Sequence, residues 1–537
     1  MQNILNILMV QMNPLVGAIK ANTRKIIEII QKHQGQYDLL VFPELILTGY
    51  PPEDLLLRLE LFTQVEESLK EIYEAVKSGY VIVGHPSLEQ GRRFNSASII
   101  GNNNVIRYHK QMLPNYGVFD EARYFSPGNH PIVFTIKNYR IGLCICEDIW
   151  QPEPAANAIK AGAEVLVCIN ASPFEKDKYE QRVALLQQHA KKGVSILYVN
   201  QTGGQDEIVF DGQSLAMNSD GEICARAPLF EESLFPVSIE GKHVKGTLAP
   251  LLQKEALIYT ALQYGLKEYI VKNNFPGVLL GLSGGIDSAF TLALASDALG
   301  PSKVHAVLMP SRYTSSMSNE DAITQADTLQ VPYSILSIEP AFNAFLETLA
   351  PEFKNLKPDI TEENLQARIR GSLLMALSNK SGKMVISTSN KSEAAVGYST
   401  LYGDMVGGMA PIKDVLKTEI YALAHYRNKL SPVIPERVIK RAPSAELAPN
   451  QKDQDALPDY AILDGILRLY IEKNLSTQAI IKKGFSEKDV SRVIRLIIRN
   501  EYKRRQSPPG IKISNCNFDR DWRYPITSGF EHFLRKI

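Results

Sequence analysis

Cysteine is scarce in this sequence, and its scarcity limits the class of protein. The five cysteines among 537 residues are Cys144, Cys146, Cys168, Cys224 and Cys516. A chain of this length with so few thiols does not rest on a disulfide framework, unlike small secreted domains. We therefore expect a protein of a reducing compartment and predict that it is cytoplasmic.

A strong net charge and long apolar runs are also missing. The formal net charge at pH 7 is +1, so no overall field would gather nucleic acid or an anionic membrane. No apolar run reaches the roughly 20 residues that a membrane-spanning helix needs. Residues 1–10 indicate a first strand, because they lack the basic region and cleavage site of a signal peptide. We expect neither nucleic acid nor a membrane as a partner.

Length and composition predict a globular protein of two or three domains. The 537 residues exceed what one hydrophobic core usually supports, and 45% of them are hydrophobic while 22% are charged. Strand and helix signals alternate over residues 1–240, which favours a layered α/β domain. A polar segment follows these elements, so we place a linker at residues 241–255 and a second domain at residues 256–537.

Apolar periodicity locates the main elements of each half. In the first half, the predicted strands cover residues 4–11, 39–42, 80–84, 96–100, 140–145, 164–170, 195–200 and 208–217, and the predicted helices cover residues 22–32, 58–77 and 179–192. In the second half, the predicted strands cover residues 277–282, 303–309, 333–337 and 384–388, and two of the predicted helices cover residues 255–273 and 288–299. Repeated strand–helix units favour a parallel sheet with ligands at the carboxyl ends of its strands.

A loop rich in glycine and serine joins the first strand and the next helix of the second half. Its residues are Gly281, Leu282, Ser283, Gly284, Gly285, Ile286, Asp287 and Ser288. Adjacent glycines let backbone N–H groups approach a ligand, the serines add hydroxyl donors, and the helix N-terminus adds partial positive charge. These donors predict a phosphate site, and Asp287 beside it predicts a bridging Mg²⁺. The alternative is an ordinary glycine-rich turn in which Asp287 and Ser288 cap the helix.

The spacing of this loop separates it from two common phosphate-binding motifs. It lacks the Gly-Lys-Ser/Thr end of a Walker A loop, and its glycines do not follow the dinucleotide-binding spacing. It resembles the Ser-Gly-Gly-x-Asp-Ser loop of the PP-loop ATP pyrophosphatases. That resemblance implies an enzyme that splits ATP between the α- and β-phosphates, adenylates an oxygen and releases diphosphate.

An acid, an amine and a thiol follow or lie within strand-like stretches of the first half. Glu44 follows residues 39–42, Lys110 lies in Tyr-His-Lys-Gln-Met-Leu-Pro, and Cys146 ends Gly-Leu-Cys-Ile-Cys. Glu44 is a candidate general base, Cys146 a candidate nucleophile and Lys110 a candidate cation beside an oxyanion. Taken singly, each has a commoner structural interpretation, as a turn acid, a small core residue and a solvated charge respectively.

The order and context of these three residues resemble the nitrilase (carbon–nitrogen hydrolase) superfamily over most of residues 1–240. The resemblance implies an α-β-β-α sandwich and a Glu44–Lys110–Cys146 centre that hydrolyses a carboxamide through a thioester. It also implies that Glu121 supports this centre. By the same resemblance, the residues that hold L-glutamine are Tyr116, Ser172 and Lys178.

Several polar strings of the second half resemble the NAD synthetase family over nearly all of residues 256–537. Besides the glycine-rich loop, these strings lie at residues 363–368, 390–393, 402–404, 443–447 and 502–506. The resemblance implies a doubly wound parallel sheet of the PP-loop kind. One departure is Tyr-Gly-Asp-Met at residues 402–405, where ammonia-only relatives tend to read Gly-Asp-Gly. We therefore expect the lid over the substrate to differ there.

The same resemblance assigns ligands to particular residues. Those implied to contact deamido-NAD⁺ are Asn364, Glu393 and Lys503. Those implied to contact ATP are the eight loop residues, Thr388 and Lys417. Those implied to bind Mg²⁺ are Asp287 and Glu393.

The two resemblances together imply a glutamine-dependent ligase. The first half would release ammonia from L-glutamine, and the second would activate the carboxylate of deamido-NAD⁺ as an acyl-adenylate that ammonia attacks. Because ammonia is mostly protonated at neutral pH, we hypothesise a shielded passage between the two sites. Relatives of this kind associate through both domains, so the resemblance also implies a homo-oligomer.

Two other functions stay open at this point. A different PP-loop amidotransferase would yield GMP or an aspartate derivative, and only the strings of the second half argue against it. A nucleotide-sensing or scaffold protein with an inactive amidase half is the non-enzymatic alternative. The intact Glu44, Lys110 and Cys146 and the intact glycine-rich loop argue against that alternative.

Overall fold

The chain divides into two compact units, Met1–Leu252 and Gln253–Ile537. The structure is a computed structural model, and it describes residues 4–449, 451–455 and 457–530. The segment 241–255, predicted as a linker, contains strand His243–Lys245 of the first unit, and the first helix of the second unit begins at Lys254. None of the helices within the described ranges combines the length and the apolar character needed to cross a membrane.

The first unit is rich in strands. Its strands are β1 (Ile4–Gln11), β2 (Leu39–Val41), β3 (Tyr80–Glu89), β4 (Arg92–Gly101), β5 (Asn104–His109), β6 (Val133–Ile136), β7 (Tyr139–Ile145), β8 (Val165–Asn170), β9 (Ser195–Asn200), β10 (Thr202–Gln205), β11 (Ile208–Asp211), β12 (Leu215–Met217), β13 (Ile223–Arg226), β14 (Ser233–Glu240) and β15 (His243–Lys245). Its α-helices are α1 (Ile19–His33), α2 (Leu59–Ala75), α3 (Glu121–Tyr124), α4 (Glu147–Trp150), α5 (Pro152–Lys160) and α6 (Lys178–Ala190), and a 3₁₀ helix covers Glu53–Leu57.

Two sheets form the middle layers of the first unit. One has the order β15-β14-β1-β2-β3-β4-β5, and the other has the order β13-β12-β9-β8-β7-β6. Strand β1 shows how the layers arise, because successive side chains of a strand point to opposite faces of its sheet. Leu5, Ile7 and Met9 belong to a core shared by both sheets, whereas Leu8 and Val10 pack in a second core with helices α1 and α2.

A third core covers the other sheet of the first unit. It joins residues of β7, β8 and β9 to residues of helices α5 and α6. Helices therefore cover the outer face of each sheet, and the predicted α-β-β-α sandwich is confirmed. The strand predicted over residues 208–217 is two strands, since Gly212 and Gln213 take positive φ angles of 65° and 49° and turn the chain between them.

The second unit is mostly helical around a small sheet. Its strands are β16 (Val278–Gly281), β17 (Val304–Leu308), β18 (Tyr333–Ile335) and β19 (Met384–Val385). Its α-helices are α7 (Lys254–Lys272), α8 (Ile286–Leu299), α9 (Ser316–Thr328), α10 (Glu339–Leu349), α11 (Ile360–Ser381), α12 (Lys391–Val396), α13 (Lys417–Leu430), α14 (Glu436–Lys440), α15 (Tyr460–Leu467), α16 (Thr477–Ile481), α17 (Glu487–Arg499) and α18 (Glu501–Arg504). Shorter 3₁₀ or π turns cover Pro301–Lys303, Asp453–Asp455 and Arg468–Glu472.

The sheet of the second unit is parallel throughout, in the order β18-β17-β16-β19. Its strands alternate with helices along the chain, and α8 and α11 both pack on the central strand β16. This arrangement confirms the predicted parallel α/β sheet. The glycine-rich loop follows β16, so it lies at the carboxyl edge, where ligands bind in such sheets.

Candidate active sites

The structure brings together Glu44, Lys110 and Cys146, which follow strands β2, β5 and β7 respectively. All three side chains are buried. The Lys110 Nζ donates hydrogen bonds to Glu44 Oε1 and to Glu121 Oε1, each at 2.7 Å. Glu44, Lys110 and Glu121 all act electrostatically on the Cys146 thiol. Three residues separated by up to a hundred positions thus form one buried polar centre.

Two neighbours that the sequence did not indicate fix the Glu44 carboxylate. Asn95 on β4 donates from Nδ2 to Glu44 Oε1 at 2.7 Å, and the backbone N–H of Ala171 donates to Oε2 at 2.9 Å. Both carboxylate oxygens are therefore occupied, and the side chain has one orientation. A base held in this way is pre-positioned for proton transfer.

Cys146 lies at the turn between β7 and α4, with a backbone conformation that is unusual for a residue other than glycine. Its φ and ψ are 45° and −97°, and its N–H donates to the Ile169 carbonyl at 2.9 Å. Burial raises the pKa of the thiol well above its usual range, Glu44 adds to that rise, and Lys110 opposes it. The thiol therefore needs a base to take its proton, and Glu44 is placed to be that base.

Lys110 keeps its charge in spite of complete burial. Burial lowers the pKa of its ammonium, but Glu121 and Glu44 outweigh that effect, so the pKa is raised well above its usual range. A cation beside the Cys146 thiol is suited to stabilising an oxyanion. Glu121 is held by the Tyr50 hydroxyl, which donates to Oε1 at 2.8 Å, and burial raises the pKa of Glu121 to about 7.

Asp148 ties the Lys110 side of the centre to the Cys146 side. Its Oδ1 accepts from the backbone N–H groups of Gln111 and Met112 at 2.9 and 2.8 Å. Its Oδ2 accepts from the Tyr108 hydroxyl at 2.7 Å and from the Ile145 N–H at 3.0 Å. One buried carboxylate thus links the end of β5 in one sheet to the end of β7 in the other.

The three residues expected to hold glutamine have different surroundings. Tyr116 is 55% exposed and donates from its hydroxyl to Glu147 at 2.8 Å, while the Lys178 ammonium lies 4.7 Å from the centre of the Trp150 ring. Both therefore contact α4, the helix that Cys146 precedes. The backbone N–H of Ser172, which follows β8, donates to the Asn200 side chain at 2.9 Å. Contact of these three residues with glutamine stays a prediction.

The second unit contains a cavity of about 310 Å³ at the carboxyl edge of its sheet. All the glycine-rich loop residues except Gly284 line it, and Thr388, Glu393, Lys417 and the segment 441–447 line it as well. Gly284 has a φ of 80°, and a Cβ there would lie 2.3 Å from the Ser318 carbonyl oxygen. No other residue type fits that position without moving the backbone.

The loop is organised by its own serines. The hydroxyls of Ser283 and Ser288 are 3.0 Å apart, and the N–H of Gly285 donates to Ser283 Oγ at 3.2 Å. Helix α8 begins directly after Gly285, so its N-terminus points at the cavity. This arrangement has the donors and the partial charge that phosphate groups require.

The carboxylates of Asp287 and Glu393 lie close together at the edge of the cavity, and the Lys417 ammonium contacts both of them. The Lys417 Nζ donates to Asp287 Oδ2 and, at 2.9 Å, to Glu393 Oε1, while Asn390 Nδ2 donates to Asp287 Oδ1 at 2.8 Å. Burial raises the pKa of Glu393 to about 8, Lys417 opposes that rise, and Asp287 adds to it. Two acids thus face one cation at the edge of the cavity.

The donor set fits Mg²⁺. Magnesium prefers oxygen ligands and is often held by one or two carboxylates, with water and substrate phosphates completing its coordination. The described residues contain no group of three or more His, Cys, Asp or Glu side chains that would hold a metal unaided. Two convergent carboxylates beside a phosphate loop match this pattern, and Asp287 and Glu393 as its ligands stay a prediction.

Of the three residues expected to contact deamido-NAD⁺, Glu393 lines the cavity, whereas Asn364 and Lys503 support its wall. The Thr400 hydroxyl donates to Asn364 Oδ1 at 2.8 Å, and Lys503 Nζ donates to the Gly397 and Ser399 carbonyls at 2.8 and 2.7 Å. The strand predicted over residues 384–388 ends at Val385, so Thr388 lies in a loop that faces the cavity.

Comparison with known proteins gives a family match for each half of the chain. A carbon-nitrogen hydrolase family model matches residues 7–245, and an NAD synthase family model matches residues 258–507. The glutamine-dependent NAD(+) synthetase of Acinetobacter baylyi is 49% identical, over 98% of this chain and 98% of its own. That of Aquifex aeolicus is 42% identical, over 98% of this chain and all of its own. The chain belongs to the glutamine-dependent NAD(+) synthetase family.

Solved structures agree with this membership. The glutamine-dependent NAD⁺ synthetase of Acinetobacter baumannii in complex with ADP is 45% identical, with a TM-score of 0.80 over 98% of this chain and 99% of that one. The synthetase of Cytophaga hutchinsonii has a TM-score of 0.87 at 24% identity and shows the shared fold. The resemblances to nitrilases and to NAD synthetases are confirmed.

Sequence reasoning missed several residues of these sites in this synthetase family member. Asn95 and Tyr50 bond to the acids of the first centre, Asp148 bonds to the segments that carry Lys110 and Cys146, and Arg370 and Arg441 line the cavity of the second unit. The acid in Cys-Glu-Asp148 was visible beside the nucleophile, but nothing in the chain showed which backbone groups it would bind. Arg370 lies on α11, and nothing in the sequence showed that it faces the cavity.

Proposed function

We propose that this protein makes NAD⁺ from deamido-NAD⁺, with ATP as the activating substrate and L-glutamine as the source of ammonia. The observation that supports it most is the presence of two complementary sites in one chain. The first unit has a buried acid–lysine–thiol centre, and the second has a phosphate loop with two acids at a cavity. Amide release and carboxylate activation are the two reactions that an amide-forming ligase needs.

The first reaction uses the groups around Cys146. Glu44 takes the proton from the thiol, and the sulfur attacks the carboxamide carbon of glutamine. The developing oxyanion faces the Lys110 ammonium, and collapse breaks the carbon–nitrogen bond, so that ammonia leaves with the transferred proton and a thioester forms. Water, deprotonated by Glu44, then attacks the thioester. The carbon–sulfur bond breaks, glutamate leaves, and Glu44 returns the proton to the Cys146 sulfur.

The second reaction uses the cavity of the second unit. A carboxylate oxygen of deamido-NAD⁺ attacks the α-phosphorus of ATP, and the bond to the bridging oxygen breaks with its electron pair staying on diphosphate. Backbone N–H groups of the glycine-rich loop and the α8 N-terminus bind the phosphates. Asp287 and Glu393 would hold Mg²⁺, which would neutralise phosphate charge. Ammonia then attacks the acyl carbon, and NAD⁺ and AMP separate.

An omission assay with the purified full chain tests this function. We expect NAD⁺, detected by mass, when deamido-NAD⁺, ATP, Mg²⁺ and L-glutamine are all present. Withholding any one of them should stop its formation, except that ammonium at alkaline pH should replace glutamine. If no NAD⁺ forms from the complete mixture, or if ATP is split to diphosphate only with GMP precursors or aspartate, the proposal is wrong.

Location and assembly complete the proposal. We place the enzyme in the cytoplasm, and the five cysteines support this, since all are free thiols in the structure. The resemblance to associating relatives supports a homo-oligomer. Analytical ultracentrifugation of the purified chain tests the second point, and a single species at the mass of one chain would contradict it.

A further inference from the structure

The cavity of the second unit contains two arginines that have no carboxylate within ion-pair distance among the described residues. Arg370 on α11 donates from Nε to the Met309 carbonyl at 3.0 Å, and burial lowers the pKa of its guanidinium to about 10. Arg441 follows α14 and bonds only to neutral oxygens. In contrast, Lys417 in the same cavity contacts two acids. The positive charge of Arg441 is thus available to an anionic ligand, whereas Arg370 also interacts electrostatically with Glu446.

Arg441 lies against the phosphate loop itself. Its Nη2 donates to the Gly284 carbonyl at 2.6 Å, and its Nη1 donates to the Ser318 hydroxyl at 3.1 Å. The side chain is half-buried and lines the cavity. A guanidinium has five N–H donors, so several remain for a ligand held by the loop.

The segment that carries Arg441 is fastened in place. Glu446 Oε1 accepts from the hydroxyls of Ser315 and Ser318 at 3.0 and 2.7 Å, and Gln366 donates to the Leu447 carbonyl at 3.1 Å. These bonds connect the segment to the start of α9 and to α11. Arg441 is therefore held beside the loop by contacts on both sides rather than placed there by a flexible side chain alone.

A cation beside the phosphate loop would favour ATP cleavage. When the bond between the α-phosphorus and the bridging oxygen breaks, negative charge builds on the departing diphosphate. Lys417 lies beside Asp287 and Glu393, the acids proposed to bind Mg²⁺, whereas Arg441 lies against the carbonyl of Gly284 in the phosphate loop. A planar guanidinium can give two parallel hydrogen bonds to phosphate oxygens, which a lysine cannot.

We propose that Arg441 is a diphosphate-binding residue, which stabilises the leaving group of adenylation through direct hydrogen bonds. This inference rests on the proposed function, because that function supplies ATP as the substrate. Binding of diphosphate to Arg441 can nevertheless be measured without NAD⁺ formation. It assigns to the segment 441–447 a chemical role in addition to covering the cavity.

The test compares Arg441→Ala and Arg441→Lys with the wild-type chain in two measurements. The first is calorimetric binding of inorganic diphosphate with Mg²⁺, and the second is diphosphate inhibition of ammonia-dependent NAD⁺ formation. Loss of one or two charge-assisted hydrogen bonds should weaken both about 10- to 100-fold in the alanine variant. The lysine variant should lie in between, because it keeps the charge and loses the paired geometry.

Lys440→Ala is the matched control. Lys440 is the exposed neighbour of Arg441, lies outside the cavity and pairs with Glu436 on the surface of α14. Its loss removes the same charge and should leave diphosphate binding unchanged. The Michaelis constant for deamido-NAD⁺ should also stay unchanged in all three variants.

Four outcomes decide between the possibilities. Wild-type diphosphate affinity in both folded Arg441 variants would overturn the proposal, and so would an equal loss in Lys440→Ala. A wild-type chain that binds diphosphate through Arg441 but makes no NAD⁺ would overturn the proposed function and leave this one standing. If the alanine variant does not fold, the lysine variant alone decides, since it must bind diphosphate more weakly than wild type.

Discussion

Both units place a lysine between two carboxylates, yet the two arrangements differ in exposure. In the first unit, the side chains of Lys110, Glu44 and Glu121 are 0, 0 and 6% exposed. In the second, Lys417 is 2% exposed, but Asp287 and Glu393 are each 18% exposed at the edge of a cavity. The same three charges therefore lie in a closed site in one unit and in an open site in the other.

The carboxylate oxygens differ in the same way. Asn95 and the Ala171 N–H hold the two oxygens of Glu44, and the Tyr50 hydroxyl holds Oε1 of Glu121. Among the contacts of the described residues, no protein donor reaches Glu393 Oε2. A closed arrangement suits proton transfer within the protein, whereas an open one suits a metal ion and phosphates. Both oxygens of Asp287 accept hydrogen bonds, as those of Glu44 do, so the difference between the two sites lies at Glu393 Oε2.

The largest expected effect separates the two sites by activity. Replacing Cys146 by Ala removes the nucleophile, so glutamine-dependent NAD⁺ formation should fall by at least about 10⁴-fold. Ammonia-dependent formation should persist, because ammonia supplied in solution bypasses the first site. Parallel assays with glutamine and with ammonium chloride measure both. Equal loss in the two assays would contradict the division of labour.

Replacing Asp287 by Ala is the converse experiment. It removes one of the two acids at the phosphate loop, so both glutamine- and ammonia-dependent formation should be abolished, while glutamine hydrolysis to glutamate continues. Glutamate release and NAD⁺ formation are measured in the same samples. Ammonia-dependent synthesis at the wild-type rate would show that Asp287 is a helix-cap residue only.

The two lysines offer a matched pair for stability. Lys110→Met leaves two buried acids without a cation and should destabilise the protein by about 3–5 kcal/mol. Lys417→Met should be destabilised less in the presence of Mg²⁺, because Asp287 and Glu393 can bind the ion instead.

Thermal unfolding of both variants with MgCl₂ and with EDTA checks this difference. The melting temperature of the Lys417 variant should rise with MgCl₂, and that of the Lys110 variant should not. The same response in both would show that the open site does not accept a cation between its acids.

A substitution of Asp148 tests how strongly glutamine hydrolysis depends on the geometry of the closed site. Asp148→Asn keeps the shape but loses acceptor capacity for the four donors, so Lys110 and Cys146 should shift relative to each other. A displacement of about 1 Å can cost on the order of 100-fold in rate, and we expect glutamine hydrolysis to fall by about that factor. The ammonia-dependent reaction should be unaffected. Glu153→Gln, on an exposed part of α5, is the control and should match wild type in both assays.

The smallest effect concerns acid stability of the first unit. Buried His85 bonds to Ser98 Oγ at 2.7 Å and to the Pro86 carbonyl at 3.0 Å, so its neutral Nδ1–H form is favoured. Burial, with Arg107 adding to it, lowers the pKa of His85 to about 3. Between about pH 3 and 6.5 the unfolded chain binds a proton that the folded chain does not. The free energy of unfolding therefore falls as the pH is lowered through this range, by up to about 1.4 kcal/mol per pH unit.

Urea unfolding at pH 5 and pH 7 measures this slope. His85→Gln should show a shallower loss of stability on acidification than wild type, whatever its stability at pH 7. The exposed His243→Gln should keep the wild-type slope. An unchanged slope in the His85 variant would mean that other groups account for the acid sensitivity.

Much of this fold was predictable because the apolar pattern of each strand matches the layers against which that strand packs. Strand β1 alternates between two cores, and β9 was placed at its observed bounds, Ser195–Asn200, because short apolar runs carry the signal. The glycine-rich loop was equally clear, since its residue types and the flanking elements belong to one continuous segment.

The contacts that complete each site were not predictable, since they join distant parts of the chain. Asn95 reaches Glu44 across 51 positions and the Ala171 N–H reaches it across 127, while Lys417 reaches Asp287 across 130. No periodicity or spacing rule applies at such separations. Only the three-dimensional arrangement of the strand ends determines which side chains meet.

The left-handed backbone at Cys146 has a consequence for evolutionary drift. Glycine adopts that conformation at much lower cost than any residue with a Cβ, so the reactive thiol is retained against a local gain in stability. If a lineage came to depend on ammonium alone, selection for the thiol would end, and a change to glycine here would relieve the backbone strain but remove a side chain from the core between the sheets. Silenced amidase halves should therefore accumulate glycine at this position more often than alanine or serine.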